Sequence, residues 1–188
     1  MGAGLSTPAV PTLDDALDTL VRDVVDYPRP GIVFKDITPL LGDPGGFAAT
    51  VDALASRGTA SAGGPIDAVV GIEARGFIFA APVALALGVG FVPVRKAGKL
   101  PGPTHELSYT LEYGSETLQV HQDALASGAR VLVVDDVLAT GGTMAATAEL
   151  VERCGAEVVG VSVVLELGFL SGRDRVPGLS VSALRVVP

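Results

Sequence analysis

The chain has 188 residues, of which 24 are Gly and 13 Pro, 48% are hydrophobic and 18% charged. That hydrophobic content excludes a disordered chain, and the glycine-plus-proline share stays below the roughly 25–30% of low-complexity segments. With 13 Lys and Arg against 21 Asp and Glu, the formal net charge of -8 argues against a broad nucleic-acid or anionic-membrane surface, though not against a small anion held at one local site.

A length of this size predicts one domain, residues 12–188, behind a loose tail, Met1 to Pro11, which is small, uncharged and unlike a signal peptide. Thr12-Leu-Asp-Asp15 reads as an N-cap with an acid three positions on. Leu13, Leu17, Leu20, Val21 and Val24 continue at helical spacing until Pro28 and Pro30 must end the helix. PRPGIVFKDITPLL then runs without any period. Asp43-Pro44 is a cap followed by a first-position proline, with Phe47, Val51 and Leu54 on the buried face, and Arg57 to Pro65 reads as a loop.

From Ile66 onward the pattern alternates. Ile66 to Ile72 is a short apolar strand, Arg75 to Leu87 a helix and Phe91 to Val94 a strand. The uncharged run from Gly76 to Val94 has the length of a membrane span, but Pro82, Gly88, Gly90 and Pro93 break it, so a buried helix followed by a strand is expected. Arg95 to Ser108 reads as a Gly/Pro-rich loop, and Tyr109 to Leu111 with Glu116 to Val120 as a hairpin. Val131 to Val134 and Val158 to Leu165 are apolar strands flanking a helix from Thr143 to Arg153. The fold class is therefore α/β, with an open, mainly parallel twisted sheet flanked by helices. Cys154, a lone cysteine, reads as a small hydrophobe near a helix end and fits a reducing, cytoplasmic compartment.

In such sheets ligands sit beyond the carboxyl ends of the strands. The strongest signal is VLVVDDVLATGGT, residues 131–143. A buried strand delivers Asp135 and Asp136, and Ala139, Thr140, Gly141, Gly142 and Thr143 then surround one point with backbone N–H groups, two hydroxyls and a helix N-terminus. Those are the components of a phosphate cradle, and the carboxylates upstream suit vicinal hydroxyls of a sugar. Three of the thirteen basic residues, Arg95, Lys96 and Lys99, fall within five positions, as suits a polyanion site. A P-loop, a dinucleotide fingerprint and a nucleophile elbow are all missing from the sequence. Phe34 taken alone reads as a core aromatic and Glu112 as a hairpin-tip acid.

The acidic strand end running into Ala-Thr-Gly-Gly-Thr resembles the phosphoribosyl pyrophosphate signature of type I phosphoribosyltransferases. Pro30 to Pro39, Gly71-Ile-Glu-Ala-Arg-Gly-Phe77, Val94 to Pro101 and Tyr109 to Gly114 are similar to the adenine-specific members of that family, in order and spacing, and the likeness extends over residues 12–185. The resemblance implies a small hood near the N-terminus and a flexible lid over residues 99–115. It implies transfer of phosphoribosyl to adenine, with AMP and pyrophosphate as products. Asp135 and Asp136 would hold the ribose, Ala139 to Thr143 the 5′-phosphate, and Ala74, Arg75, Arg95, Lys96 and Lys99 the pyrophosphate. Val33, Phe34, Lys35 and Leu167 would receive adenine, and Glu112 is the acid/base. Mg²⁺ held mainly by substrate, with no metal-binding side chains, and a homodimer are further implications. Against this stand a hypoxanthine or guanine enzyme, a regulator that senses phosphoribosyl pyrophosphate, and a βα domain without a ligand; the regulator would need a nucleic-acid surface that this acidic chain lacks.

Overall fold

The computed structural model describes residues 12–111 and 114–188. The chain forms two compact units divided between Thr50 and Val51.

The first unit opens with helix α1, Leu13–Leu20, capped reciprocally. Thr12 Oγ1 accepts from the Asp15 N–H at 3.2 Å and donates to the Asp15 carboxylate at 2.6 Å. The apolar spacing predicts a helix reaching Val24, but α1 stops at Leu20. Strand β1, Arg22–Val25, pairs antiparallel with β2, Val33–Asp36, inside the stretch that reads as irregular. Two β-branched valines favour the strand, and the register sets Arg22 opposite Asp36 and Asp23 opposite Lys35, closing ion pairs of 2.5 and 2.6 Å. Asp36 also accepts from the Thr38 N–H at 2.9 Å, at the start of the short helix α2, Thr38–Gly42. The Thr38 hydroxyl and N–H, then Arg22, hold the Asp36 carboxyl down at about 2.

Helix α3, Pro44–Ala62, begins where the sequence says, with Asp43 Oδ1 accepting from the Gly46 N–H at 2.7 Å. It then runs through Arg57–Ala62, where a loop is expected. In the second unit its Gly58 lies against Leu132, whose Cδ2 would be 2.7 Å from a Cβ there, and Leu54 O accepts from the Ser162 hydroxyl at 3.0 Å. Packing, rather than propensity, carries the helix past its weak residues.

The second unit continues with β3 (Ala68–Ile72), α4 (Arg75–Leu87), β4 (Gly90–Lys96), β5 (Thr104–Leu111), β6 (Gly114–His121), β7 (Arg130–Leu138), α5 (Gly142–Arg153), β8 (Glu157–Leu167), two 3₁₀ turns at Gly168–Leu170 and Gly172–Arg175, and β9 (Val181–Val187). These strands make a seven-stranded sheet in the order β5-β6-β4-β3-β7-β8-β9. The five from β4 to β9 are parallel, while β6 runs antiparallel to β4 and to β5. The mainly parallel, helix-flanked sheet is the one the sequence implies.

All five residues of β3 are buried, as a strand covered on both faces requires. One face packs Val70, Ile72, Val131, Val133, Val161 and Val163 beneath Met144, Ala146, Leu150 and Val151 of α5. On α4, Ala80 and Phe77 approach the opposite face at Gly71, where a Cβ would sit 2.6 Å from Ala80 Cβ. Cys154 caps α5 and packs on the core, and burial pushes its thiol pKa up.

Several boundaries differ from those read in the sequence. The uncharged run does divide into α4 and β4, and no helix among the described residues is long and apolar enough to cross a membrane. The loop expected over 95–108 shrinks to 97–103, because β4 extends to Lys96 and the hairpin starts at Thr104. Strand β7 extends to Leu138 and so carries both aspartates within the sheet. Strand β9, which lacks a long apolar run, forms by pairing with β8 at the sheet edge.

Leu132 is fully buried between Gly58 and Gly160. Leu132→Ala is expected to cost about 2–5 kcal/mol in urea unfolding, with the slope of the transition unchanged.

Candidate active site

The carboxyl ends of β3, β4 and β7 meet at a cleft of about 750 Å³ lined by Glu73, Ala74, Arg75, Lys96, Lys99, Tyr109, Glu116, Asp135, Asp136, Ala139 and Thr143 among others. A smaller hollow of about 80 Å³, bounded by Asp135, Ala139, Thr140, Gly141, Thr143 and Met144, continues it. Most of the anion-site residues picked out in the sequence therefore converge within one unit.

The acidic pair lies deep. Asp135 Oδ1 accepts the Asp136 N–H at 2.9 Å, and a Cβ on Gly76 would come within 2.6 Å of the same oxygen, so only glycine lets the first turn of α4 approach the strand. Arg75 Nε stands 2.9 Å from Asp136 Oδ2. That contact is an ion pair without hydrogen-bond alignment, which leaves Oδ2 a buried acceptor lacking a hydrogen bond among the described residues. Burial, and then the neighbouring Asp136 charge, push the Asp135 pKa well above the usual carboxylate range. Burial also raises Asp136, opposed by Arg75.

Beyond the strand, Gly141 takes φ +81° as the cap of α5, with no side chain satisfying the first N–H groups. A Cβ on Gly141 would overlap the carbonyl oxygen of Gly172, so the Gly172–Arg175 turn packs directly on the cradle backbone. The result is a glycine-bounded turn feeding a helix N-terminus with its donors free for an anion. Gly142 opens the helix but lines neither hollow.

On the opposite wall, Lys96 Nζ bonds Glu116 at 2.8 Å, and this bond raises the lysine pKa. Arg95 does not line the cleft. It donates to Glu73 at 3.3 Å and to the Lys99 carbonyl at 3.2 Å, bracing the 97–103 loop from behind. Burial pushes the Glu73 pKa up but is outweighed by the Lys96 N–H and by Arg95, so the net shift is downward. The Gln119 amide also braces the loop, its Oε1 accepting the Gly98 N–H at 2.9 Å and its Nε2 donating to Glu106.

Sequence reasoning missed Glu73, Tyr109 and Glu116 as cleft residues. Glu73 lies within the Gly-Ile-Glu-Ala-Arg-Gly stretch picked out in the sequence, whereas Tyr109 and Glu116 come together only through the hairpin register that pairs them. Among the described residues, no group of three or more His, Cys, Asp or Glu is arranged to hold a metal.

Val33, Phe34 and Lys35 belong to strand β2 of the first unit. Phe34 is half-buried rather than a core residue and meets Tyr27 edge-on, with centroids 5.2 Å apart. Val33 is exposed, and Lys35 Nζ bonds Asp23 at 2.6 Å. Leu167 is half-buried at the end of β8. Glu112 lies outside the described residues.

A cleft joining acids at a strand end, a helix N-terminus and a basic wall has the parts of a site for a phosphorylated sugar. The phosphoribosyl transferase domain model matches residues 41–175. An adenine phosphoribosyltransferase of Nocardioides sp. is 58% identical over 97% of this chain and 99% of its own. The crystal structure of adenine phosphoribosyltransferase from Thermoanaerobacter pseudethanolicus superposes with a TM-score of 0.88 at 45% identity, covering 94% of this chain and 100% of its own. The Saccharomyces cerevisiae enzyme, complexed with an imino-altritol bisphosphate and adenine, gives 0.87 at 41% identity, covering 92% and 98%. The chain belongs to the phosphoribosyltransferase family, and within it to the adenine phosphoribosyltransferases.

Because the folded-state pKa values of Asp135 and Asp136 lie above the unfolded value, the folded chain holds these protons more tightly than the unfolded one. Their stabilising contribution is complete below about pH 3.8 and is lost as pH rises through the raised values. Asp135→Asn, which keeps an oxygen for the Asp136 N–H, should raise the thermal midpoint at pH 7 without substrate. The gain should vanish on acidification, as calorimetry across pH 4–8 would record.

Proposed function

We infer that the chain transfers the 5-phosphoribosyl group from phosphoribosyl pyrophosphate to adenine, giving AMP and pyrophosphate. The observation that carries this reading is the convergence of Asp135 and Asp136, the uncapped N-terminus of α5 and the basic wall on one cleft. In the reaction the adenine N9 lone pair forms the bond to the anomeric carbon, while the bond from that carbon to the pyrophosphate oxygen breaks and its electron pair leaves with pyrophosphate. The N9 proton is lost to a base.

In this assignment Asp135 and Asp136 accept from the ribose hydroxyls, and the buried Oδ2 of Asp136, ion-paired to Arg75 but without a hydrogen bond among the described residues, is suited to that role. The N–H groups of 139–143 and the Thr140 and Thr143 hydroxyls bind the 5′-phosphate, with the α5 dipole supporting the negative charge. Ala74, Arg75, Lys96 and Lys99 bind the pyrophosphate, and Arg95 supports them by holding the loop. Catalysis on this plan is positioning plus electrostatic stabilisation of separating charges. The resemblance supports Val33, Phe34, Lys35 and Leu167 as the adenine residues and Glu112 as the group that exchanges the purine proton.

The hard carboxylate oxygens of the cleft fit Mg²⁺, an ion that keeps several waters and is shared with substrate phosphates. Held mainly by substrate and water, Mg²⁺ would supply positive charge against the departing pyrophosphate. A homodimer is supported by Ile78 and Leu85, seven residues apart on α4 and 40% and 82% exposed. A cytoplasmic location agrees with the single free thiol.

Product analysis with phosphoribosyl pyrophosphate, Mg²⁺ and adenine, hypoxanthine or guanine tests the reaction. AMP is expected from adenine, and nucleotide from hypoxanthine alone would overturn the base assignment. Asp135→Asn combined with Asp136→Asn should lower kcat/KM by about 100-fold or more while circular dichroism stays unchanged; undiminished turnover would remove the ribose assignment. Light scattering should report a dimer, and a fully active monomer would contradict it.

A further inference from the structure

Tyr109 sits on β5 with its ring over the first turn of α5, where a Cβ on Gly142 would lie 3.4 Å from Tyr109 Cδ2. Its hydroxyl is 2.9 Å from Thr143 Oγ1, and the side chain lines the main cleft. Of the bonds between the hairpin and α5, this one reaches the cradle itself. Another, from Arg153 Nη1 to the Glu106 carbonyl at 2.7 Å, is at the far end of the helix. No step of the reaction described above uses Tyr109.

The proton inventory of this pair gives it a role. Each hydroxyl carries one proton, so either can donate to the other. A phosphate in the cradle accepts hydrogen bonds and, on the reading that Thr143 is one of its ligands, accepts one from the Thr143 hydroxyl. Thr143 Oγ1 is then left with acceptor lone pairs and one adjacent donor, Tyr109. Phosphate occupancy therefore fixes the direction of the chain as Tyr109 O–H to Thr143 O–H to phosphate. Each bond polarises the next, and the last is charge-assisted.

We propose that Tyr109 is a positioning residue that couples phosphate occupancy of the 139–143 cradle to the docking of the β5–β6 hairpin on α5. The ligand class it reads is a phosphomonoester dianion, and because coupling is reciprocal the docked hairpin in turn tightens the phosphate. The proposal rests on the assignment of the cradle to the 5′-phosphate.

The test is hydrogen exchange on the full chain, wild type and Tyr109→Phe, with saturating AMP and with adenosine as the ligand lacking phosphate. In the wild type, AMP is expected to slow exchange about tenfold both at the start of α5 and along residues 104–109 and 115–120, and adenosine is not. In Tyr109→Phe, which keeps the ring on Gly142, AMP should still protect α5 while the added hairpin protection disappears and AMP affinity falls about fivefold. Thr143→Ser, which keeps the hydroxyl, should retain the coupling. Equal hairpin protection in wild type and Tyr109→Phe would overturn the proposal, as would a wild type in which AMP protects α5 but not the hairpin. A wild type whose α5 start is indifferent to AMP would overturn the cradle assignment and the proposal together. Loss of AMP-dependent protection at α5 in Tyr109→Phe alone would also reject it, since that outcome makes Tyr109 a general support of the cradle rather than a link to the hairpin.

Discussion

Two adjacent carboxylates at the end of a central strand, Asp135 half-buried and Asp136 buried, are the constraint around which the second unit is built. Burial opposes their charge, and at Asp136 the Arg75 ion pair, then hydrogen bonds from its surroundings, offset part of it. Gly76 exists at the start of α4 because any side chain there would collide with Asp135. Gly141 and Gly172 are bound to each other by the same logic, since the cradle backbone and the turn behind it meet with no room for a Cβ. A protein selected for stability alone would not place Asp135 and Asp136 there, and sites that break the ordinary rules of burial are where function is concentrated.

The second consequence concerns charge. A chain with net charge -8 handles polyanions by spending few cations and many backbone donors. Arg95 is turned onto Glu73 and the loop carbonyl, and Lys96 onto Glu116, so the basic wall is held in place by the acids beside it. These pairs are partly exposed and contribute modestly to stability; their use is to fix where the cations stand. The same economy appears in the first unit, where two cross-strand ion pairs and the Asp36–Thr38 bonds organise a short hairpin that lacks a large apolar core.

Some elements were legible in the sequence because local signals and packing agree. The Arg75–Leu87 helix, the Asp43 cap and the order of strand, helix and strand follow from periodicity and capping, which the tertiary structure leaves in place. Others were hidden because long-range pairing overrode a local reading. Val21 and Val24 continue the apolar stripe of α1, yet Val24 joins a strand through pairing with Phe34, ten residues away. Residues 57–62 read as a loop, yet the fit of Gly58 against Leu132 holds them in a helix. The hairpin arm from Thr104 is polar on one side, and only its partner β6 identifies it as a strand.

By itself, the sequence determined the α/β class, the acidic strand end, the phosphate turn and the family, because each is written in consecutive residues whose spacing is the chemistry. The tertiary structure decided which cations face the cleft and which brace it, and it brought in Glu73, Glu116 and Tyr109. Those roles depend on strand register and on which side of a loop a long side chain folds, and no local pattern encodes either. Arg95 and Lys96 are neighbours in the chain, but the alternation of a strand sends their side chains to opposite faces and so to different work.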